Sequence, residues 1–256
     1  MFAYSRNFLK TCSNLSRVIC VDTNFINTMR VSWPMYDWGD YLTYIPNFAD
    51  VHPAHAVREK WDENRSPLIV LFARRFAFHR GAYLWLSCLK TLAADYPEVE
   101  FRVVGFGEAE NSLKELAITN TNLKIFSRPY TEMPGEHLAA HISVIPSLWS
   151  EGTSLSCIES MAAGCAIVAS NVGGLCNLVV PGFNGMLIPP VGGHLTRAVS
   201  ELIDNRTFAM DCGRRSYEMA CAAFGRELWE TRVAEVLADA LRKPNPKMPK
   251  RRMKPF

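Results

Sequence analysis

Ser150-Glu151-Gly152-Thr153-Ser154-Leu155-Ser156-Cys157-Ile158-Glu159-Ser160-Met161-Ala162-Ala163-Gly164 holds two carboxylates eight residues apart, with a Gly-Thr-Ser turn after the first and a helix-compatible run carrying the second. A short apolar run at 142–146 precedes it, so the stretch reads as a strand end, a loop and a helix start. Thr153 or Ser154 is placed to N-cap a helix that runs until Gly164, a residue suited to the position just past a helix C-terminus. The backbone N–H groups of Thr153, Ser154 and Leu155 would then point into the crevice above the sheet, where they form a cradle for phosphate. Gly152 permits close approach of the backbone. Glu159, five residues into that helix, lies ~7–8 Å further along the axis at about 1.5 Å per residue. A lone glutamate in such a place is more often a surface acid or a solvated helix residue. Two of them framing a Gly-Thr-Ser turn at a strand end make that reading harder to hold.

The surroundings supply the sheet. Strands are predicted at 68–73, 101–104, 123–126, 142–146, 166–169 and 185–188, alternating with helical stretches near 80–94, 108–118, 132–140, 154–163 and 194–204. Buried apolar strands separated by helices indicate an α/β fold with a Rossmann-like, doubly wound parallel sheet of about six strands. Two closing helices are predicted at 206–221 and 225–241. Ahead of the sheet, 17–21 and 41–45 read as short strands around a weak helix at 24–31 with Asp22-Thr23 as its N-cap, and 1–15 shows a rough helical face. This is too small an α/β piece to stand alone. Residues 48–67 form a polar connector with one short helix. The expected organisation is a small α/β remnant over 1–50, a Rossmann-like domain with its closing helices over 51–241, and a disordered basic tail over 242–256.

Composition excludes several classes. The net charge of +3 conceals seven cations in the last fifteen residues, so the body without them is net acidic and unsuited to tracking nucleic acid. The basic tail either touches anionic lipid or merely solubilises. The eight cysteines contain no C-x-x-C pair, a pattern that suits reduced core thiols in the cytoplasm better than a disulfide framework or a zinc site. No apolar run reaches the roughly 18–20 residues needed to span a bilayer. His137 and His141 stand at i, i+4 in "EHLAAH", but without the H-E-x-x-H order or a third ligand, which favours helix surface over a metal site. Trp33, Trp38, Trp85, Trp149 and Trp229 are dispersed and read as core or interface.

"EGTSLSCIESMAAG" followed by a strand and "NVGG" resembles family 4 of the retaining GT-B glycosyltransferases. The similarity continues through "YIPNFAD" (44–50, like the interdomain linker), "ARRFAFHRG" (73–81, like the Gly-Arg…Lys-Gly loop), "VVGFGEAE" (103–110, like the Val-Gly-x-Gly turn) and "PGFNGMLIPP" (181–190), and covers roughly residues 17–240. By that resemblance Glu151 contacts hydroxyls of a donor sugar and Glu159 holds the nucleotide ribose. Arg75 and Arg80 clamp the donor diphosphate, while Gly152, Thr153, Ser154 and Leu155, with Gly105 and Gly107, line the donor site. The family has Lys where this chain has Arg80, and Gly where it has Arg74. Arg80 keeps the charge and adds a two-pronged geometry. Two fixed cations neutralise a leaving nucleoside diphosphate, so the resemblance implies no metal or other cofactor. Residues 126–130 flank the nucleobase by the same comparison. Gly105-x-Gly107 is equally a plain tight turn, and Gly173-Gly174 either starts a helix or lies near the donor.

The expected activity is hexosyl transfer from a UDP-, GDP- or dTDP-sugar to an unidentified acceptor, in polysaccharide or glycoconjugate biosynthesis, in the cytoplasm or at the inner membrane face. A GT-B enzyme has a second Rossmann-like domain, of which only about fifty residues are recognisable here. Three readings stay open: an enzyme half completed by a separate acceptor-domain protein, a truncated product without activity, and a module that binds nucleotide sugars without transferring them.

Overall fold

The computed structural model describes residues 11, 15–62, 67–149 and 151–242. Apart from Thr11 and Leu15, the helical face expected in 1–15 lies outside them, as does the tail beyond Arg242. The chain divides into two compact units, Met1–Asn47 with Arg226–Phe256, and Phe48–Gly225.

In the first unit β1 (Val18–Cys20) pairs in parallel with β2 (Leu42–Tyr44), joined through α1 (Thr23–Ser32). Asp22 caps α1 as its sequence position suggests, its carboxylate accepting from the Asn24 and Phe25 amides at 2.7 and 3.1 Å. Cys20, Ile26, Met29, Trp38, Tyr41 and Leu42 form a small core. The last helix, α9 (Arg226–Arg242), groups with this unit, whereas the sequence reading gives it to the larger domain. An ion pair from Arg17 to Asp239 ties it there. None of its residues is fully buried, so its periodicity left open which unit it serves.

The second unit holds one six-stranded sheet, all parallel, made of β3 (Ile69–Ala73), β4 (Glu100–Val104), β5 (Leu123–Phe126), β6 (Ile142–Ile145), β7 (Ala166–Ser170) and β8 (Gly185–Ile188) in the order β5-β4-β3-β6-β7-β8. The six predicted strands are these six, because parallel strands covered on both faces are apolar at nearly every position. Val70 and Phe72 of β3 join a core with α3 (Ala82–Asp95), α4 (Glu110–Thr119) and α7 (Gly192–Asp204). Ile69, Leu71 and Ala73 point to the other face, into a core with α6 (Leu155–Ala162) and the end of α8 (Arg206–Ala223). The predicted connector contributes its one short helix, α2 (Ala54–Glu59).

Just after α2, the Lys60 ammonium donates to the carbonyls of Ala140 (2.6 Å) and Ala163 (2.5 Å). These are the C-terminal caps of α5 (Met133–Ala139) and α6, so one cation serves two helix ends where backbone dipoles concentrate negative charge. Burial pushes its pKa down, an effect that the neighbouring Cys165 opposes. Lys60→Met is expected to lower unfolding stability by about 2–4 kcal/mol, since two buried carbonyls lose a charged donor. Urea denaturation would show it as a lower midpoint at unchanged slope.

Candidate functional site

With the six strands counted along the chain, the sheet order is 3-2-1-4-5-6, and the winding reverses between β3 and β6. In open α/β sheets the crevice outside the strand carboxyl ends at that point takes the ligand. The segments that leave β3 and β6 are 74–81 and 146–154, which carry the arginines and the first glutamate.

Backbone contacts lock these loops together. The Leu148 amide donates to the His79 carbonyl at 3.0 Å, and Ser156 Oγ donates to the Ala73 carbonyl at 2.9 Å. Gly81, at φ +77°, begins α3 so close to the second loop that a Cβ would stand 1.9 Å from the Pro146 oxygen. The Arg74 amide bonds to the Val104 carbonyl (3.0 Å), and the Phe76 amide to the Phe106 carbonyl (2.8 Å). Gly105 is pressed on this loop, with a Cβ position 2.0 Å from the Arg74 oxygen. Gly105 and Gly107 thus serve first to let β4's exit pass under the arginine loop.

Glu151 lies at the focus. Its Oε1 accepts from the guanidinium groups of Arg74 and Arg80 and, at 2.7 Å, from Ser147 Oγ. Arg74 also donates to Ser147 Oγ at 2.6 Å. The Arg74 and Glu151 side chains are 5% and 6% exposed, whereas Arg80 is 37% exposed at the mouth. Burial alone would raise the Glu151 pKa. The Arg74 charge, with hydrogen bonds from Ser147 and Arg74 and the Arg80 charge, outweighs it and holds the carboxyl below its ordinary value. Its second oxygen, Oε2, is buried and has no hydrogen-bond partner among the described residues.

Of the remaining predicted residues, Arg75 turns away from this cluster and is exposed, its guanidinium 5.7 Å over the Phe106 ring. Gly152 and the buried Thr153 and Ser154 lead into α6, whose first residue, Leu155, is half exposed. Ser154 is the N-cap by backbone geometry (φ −69°, ψ 113°) but makes no side-chain capping bond. Gly173 and Gly174 start a 3-10 turn, and the Gly174 amide donates to the Glu151 carbonyl at 2.6 Å. At the end of β5, Arg128 lies 4.9 Å over Phe126 and pairs with Glu136, while Tyr130 is exposed.

Two expectations are corrected. His137 and His141 are buried, 2% and 0% exposed, and do not sit on a helix surface. His137 Nδ1 is 2.9 Å from Ser160 Oγ and its Nε2 is 3.4 Å from Glu159 Oε2, so it stands directly behind the second glutamate. His141 accepts from the Ile69 amide (3.1 Å) and donates to the Lys60 carbonyl (2.7 Å), with burial lowering its pKa to about 4. Sequence reasoning failed there because His137 packs inward from α5, and His141 from the bend just after it, through hydrogen bonds that exist only in the fold. Trp149, expected in a core or interface, is not in a core: it is 63% exposed and stacks on His79 with an interplanar angle of 8°.

Arg74 and Ser147 were not singled out as functional. The signal for Arg74 was its place where the similar family has glycine. Ser147 offered none beyond its position at a strand end. Among the described residues no group of three His, Cys, Asp or Glu side chains is arranged to hold a metal ion, and no helix is long and apolar enough to cross a membrane. Seven described cysteines are free, five of them buried.

The model of the family "Glycosyl transferases group 1" matches residues 54–219. A D-inositol 3-phosphate glycosyltransferase of Thermobispora bispora is 29% identical over 208 residues, which is 74% of this chain and 47% of that protein. The chain spans about half the length of the curated relatives it matches. Among solved structures, sucrose-phosphate synthase from Thermosynechococcus elongatus superposes with a TM-score of 0.75 at 20% identity, covering 92% of this chain and 61% of that one. HepE of Anabaena, solved in complex with UDP-glucose, superposes with a TM-score of 0.70 at 20% identity, covering 92% and 68%. These two likenesses concern the fold.

Proposed function

The chain belongs to the group 1 glycosyl transferases, and on that premise we propose that its second unit binds the nucleotide-diphosphate sugar of a retaining hexosyl transfer. The observation that carries this reading is the meeting of Arg80 and Glu151 from two different loops at the reversal point of the sheet. A partly exposed guanidinium at the mouth beside a buried carboxylate suits a ligand with an anionic end and a hydroxylated end. In this reading Arg80 takes the diphosphate, assisted by the N-terminal amides of α6, and neutralises the charge that builds on the leaving nucleoside diphosphate. Glu151 accepts from a sugar hydroxyl. Glu159, backed by His137, accepts from the ribose. Arg75 swings from Phe106 to the phosphates. The chain's own cations carry the leaving charge, and the reading assigns no role to a metal.

Transfer needs the acceptor held against the donor with water excluded. We assign that task to a second domain, in the same polypeptide or in a partner. Leu15, Ile19 and Val31 are exposed on the first unit and offer such a domain apolar surface to cover. The nearest test is calorimetric titration with UDP, GDP, dTDP and their glucose or mannose derivatives. One nucleotide series is expected to bind, with Arg80→Ala and Glu159→Ala each weakening it about tenfold, equivalent to ~1.4 kcal/mol. No binding of any of them, or binding that both variants leave unchanged, defeats the proposal.

A further inference from the structure

We propose that Arg74 is a positioning residue that serves as the permanent counter-ion of Glu151, freeing Arg80 to exchange that carboxylate for the diphosphate of the donor. This rests on the donor-binding reading above.

Among the described residues three donors, Arg74, Arg80 and Ser147, converge on Oε1 of Glu151, while the buried Oε2 has no partner among them. The two arginines differ in kind. Arg74 is enclosed and braced on Ser147 Oγ at 2.6 Å, so its fork spans Ser147 Oγ and Oε1. Arg80 lies on the exposed side, and among the described residues no second hydrogen-bond partner holds it there.

If Arg80 were the sole cation, its departure to a phosphate would strand a buried carboxylate, which is strongly unfavourable for an unpaired buried charge. With Arg74 beneath, the carboxylate stays paired, ionised and fixed in orientation. The departure of Arg80 opens the exposed side of Oε1 to a sugar hydroxyl, and the direction of the carboxylate is set by an enclosed side chain. A glycine at position 74, as in the similar family, would leave that role to other groups.

Among the described residues the charged and titratable groups that act on or with Glu151 are Arg74, Arg80 and Cys157 of α6. Burial pushes the Cys157 thiol well above its ordinary value, so it stays neutral and the carboxylate answers to the two arginines.

The test has one arm without ligand and one with it. Carboxyl-13C NMR of glutamate-labelled protein, with Glu151 identified by its loss in Glu151→Gln, follows the titration midpoint. In Arg80→Met the midpoint is expected to stay below the ordinary carboxylate range, and in Arg74→Met to rise into or above it. Arg74→Lys, the safer variant for folding, should keep the midpoint low because it keeps the charge. In calorimetry with UDP and UDP-glucose, Arg74→Lys should leave UDP affinity within about twofold and cut the additional affinity contributed by the glucose about threefold to tenfold, since one ammonium cannot reproduce the fork. A midpoint that moves as far in Arg80→Met as in Arg74→Met, or an unchanged glucose contribution in Arg74→Lys, overturns the proposal. If the unaltered chain binds neither UDP nor UDP-glucose, the donor reading fails for that series, and the NMR arm still decides between the two arginines.

Discussion

Gly81→Ala is expected to lower the stability of the second unit by roughly 3 kcal/mol or more and to part the two loops that form the site. The glycine adopts φ +77°, which costs an L-residue about 1–2 kcal/mol, and its added methyl would stand 1.9 Å from the Pro146 carbonyl oxygen. That oxygen belongs to backbone leaving a central strand, so neither side yields cheaply, and overpacking of this kind adds about 1–3 kcal/mol. For a unit of this size the melting temperature should drop by roughly 6–12 °C. Gly182→Ala supplies the control, because it shares the left-handed conformation (φ +73°) but has nothing among the described residues within 4 Å of the added carbon. It should lose only the conformational part, about 1–2 kcal/mol. Equal melting shifts for the two variants would show that close approach at Gly81 is not what joins the loops. Where they differ as expected, nucleotide affinity should fall in Gly81→Ala and persist in Gly182→Ala, because Arg80 precedes Gly81 directly and loses its station opposite Glu151.

The contrast shows what can be read from the chain before folding. The strands were legible because burial on both faces leaves almost no polar residue in them, as in Ile69–Ala73, Ile142–Ile145 and Ala166–Ser170. The alternation of strand and helix then fixes a parallel sheet, and with it the end of the sheet where ligands collect. Glu151 could be singled out by spacing and Arg80 by resemblance, but neither shows their direct pairing, which depends on β3 and β6 being neighbours although they lie far apart in the chain. Arg74 escaped for a related reason. Two adjacent arginines look alike in sequence, yet one is enclosed against Ser147 and Glu151 and the other lies over Phe106. Alternation along the extended chain at the end of β3 sends them to opposite sides, and only the fold tells which side is covered. The buried His137 of α5 and the grouping of α9 with the first unit share this cause. A helical period identifies a face without saying what packs on it.

Removing Glu151 itself has the second large expected effect. Glu151→Leu leaves the Arg74 guanidinium enclosed without a counter-ion, and breaking a buried pair from one side typically costs about 3–5 kcal/mol. Arg74→Met should be similarly harmful for the mirrored reason, moderated by Arg80, which still reaches the carboxylate. The double variant Arg74→Met with Glu151→Leu is expected to be far more stable than the sum of the single losses, because apolar side chains of comparable volume in place of a buried ion pair are often neutral or stabilising. Urea melts of the four proteins give a coupling energy directly, and additive losses would mean that the two side chains are not a pair in solution. Acidity supplies an independent check. The folded carboxyl has a pKa below its unfolded value, so Glu151 contributes stability that is fully present above the unfolded carboxylate pKa of about 4.3 and is lost as pH falls through the folded value. The stability gap between the unaltered chain and Glu151→Leu should therefore be constant at neutral pH and narrow progressively below about pH 4.3. A gap that instead widens on acidification would mean that the fold holds Glu151 in its protonated form, and the carboxylate could not then serve as a fixed acceptor for a donor sugar.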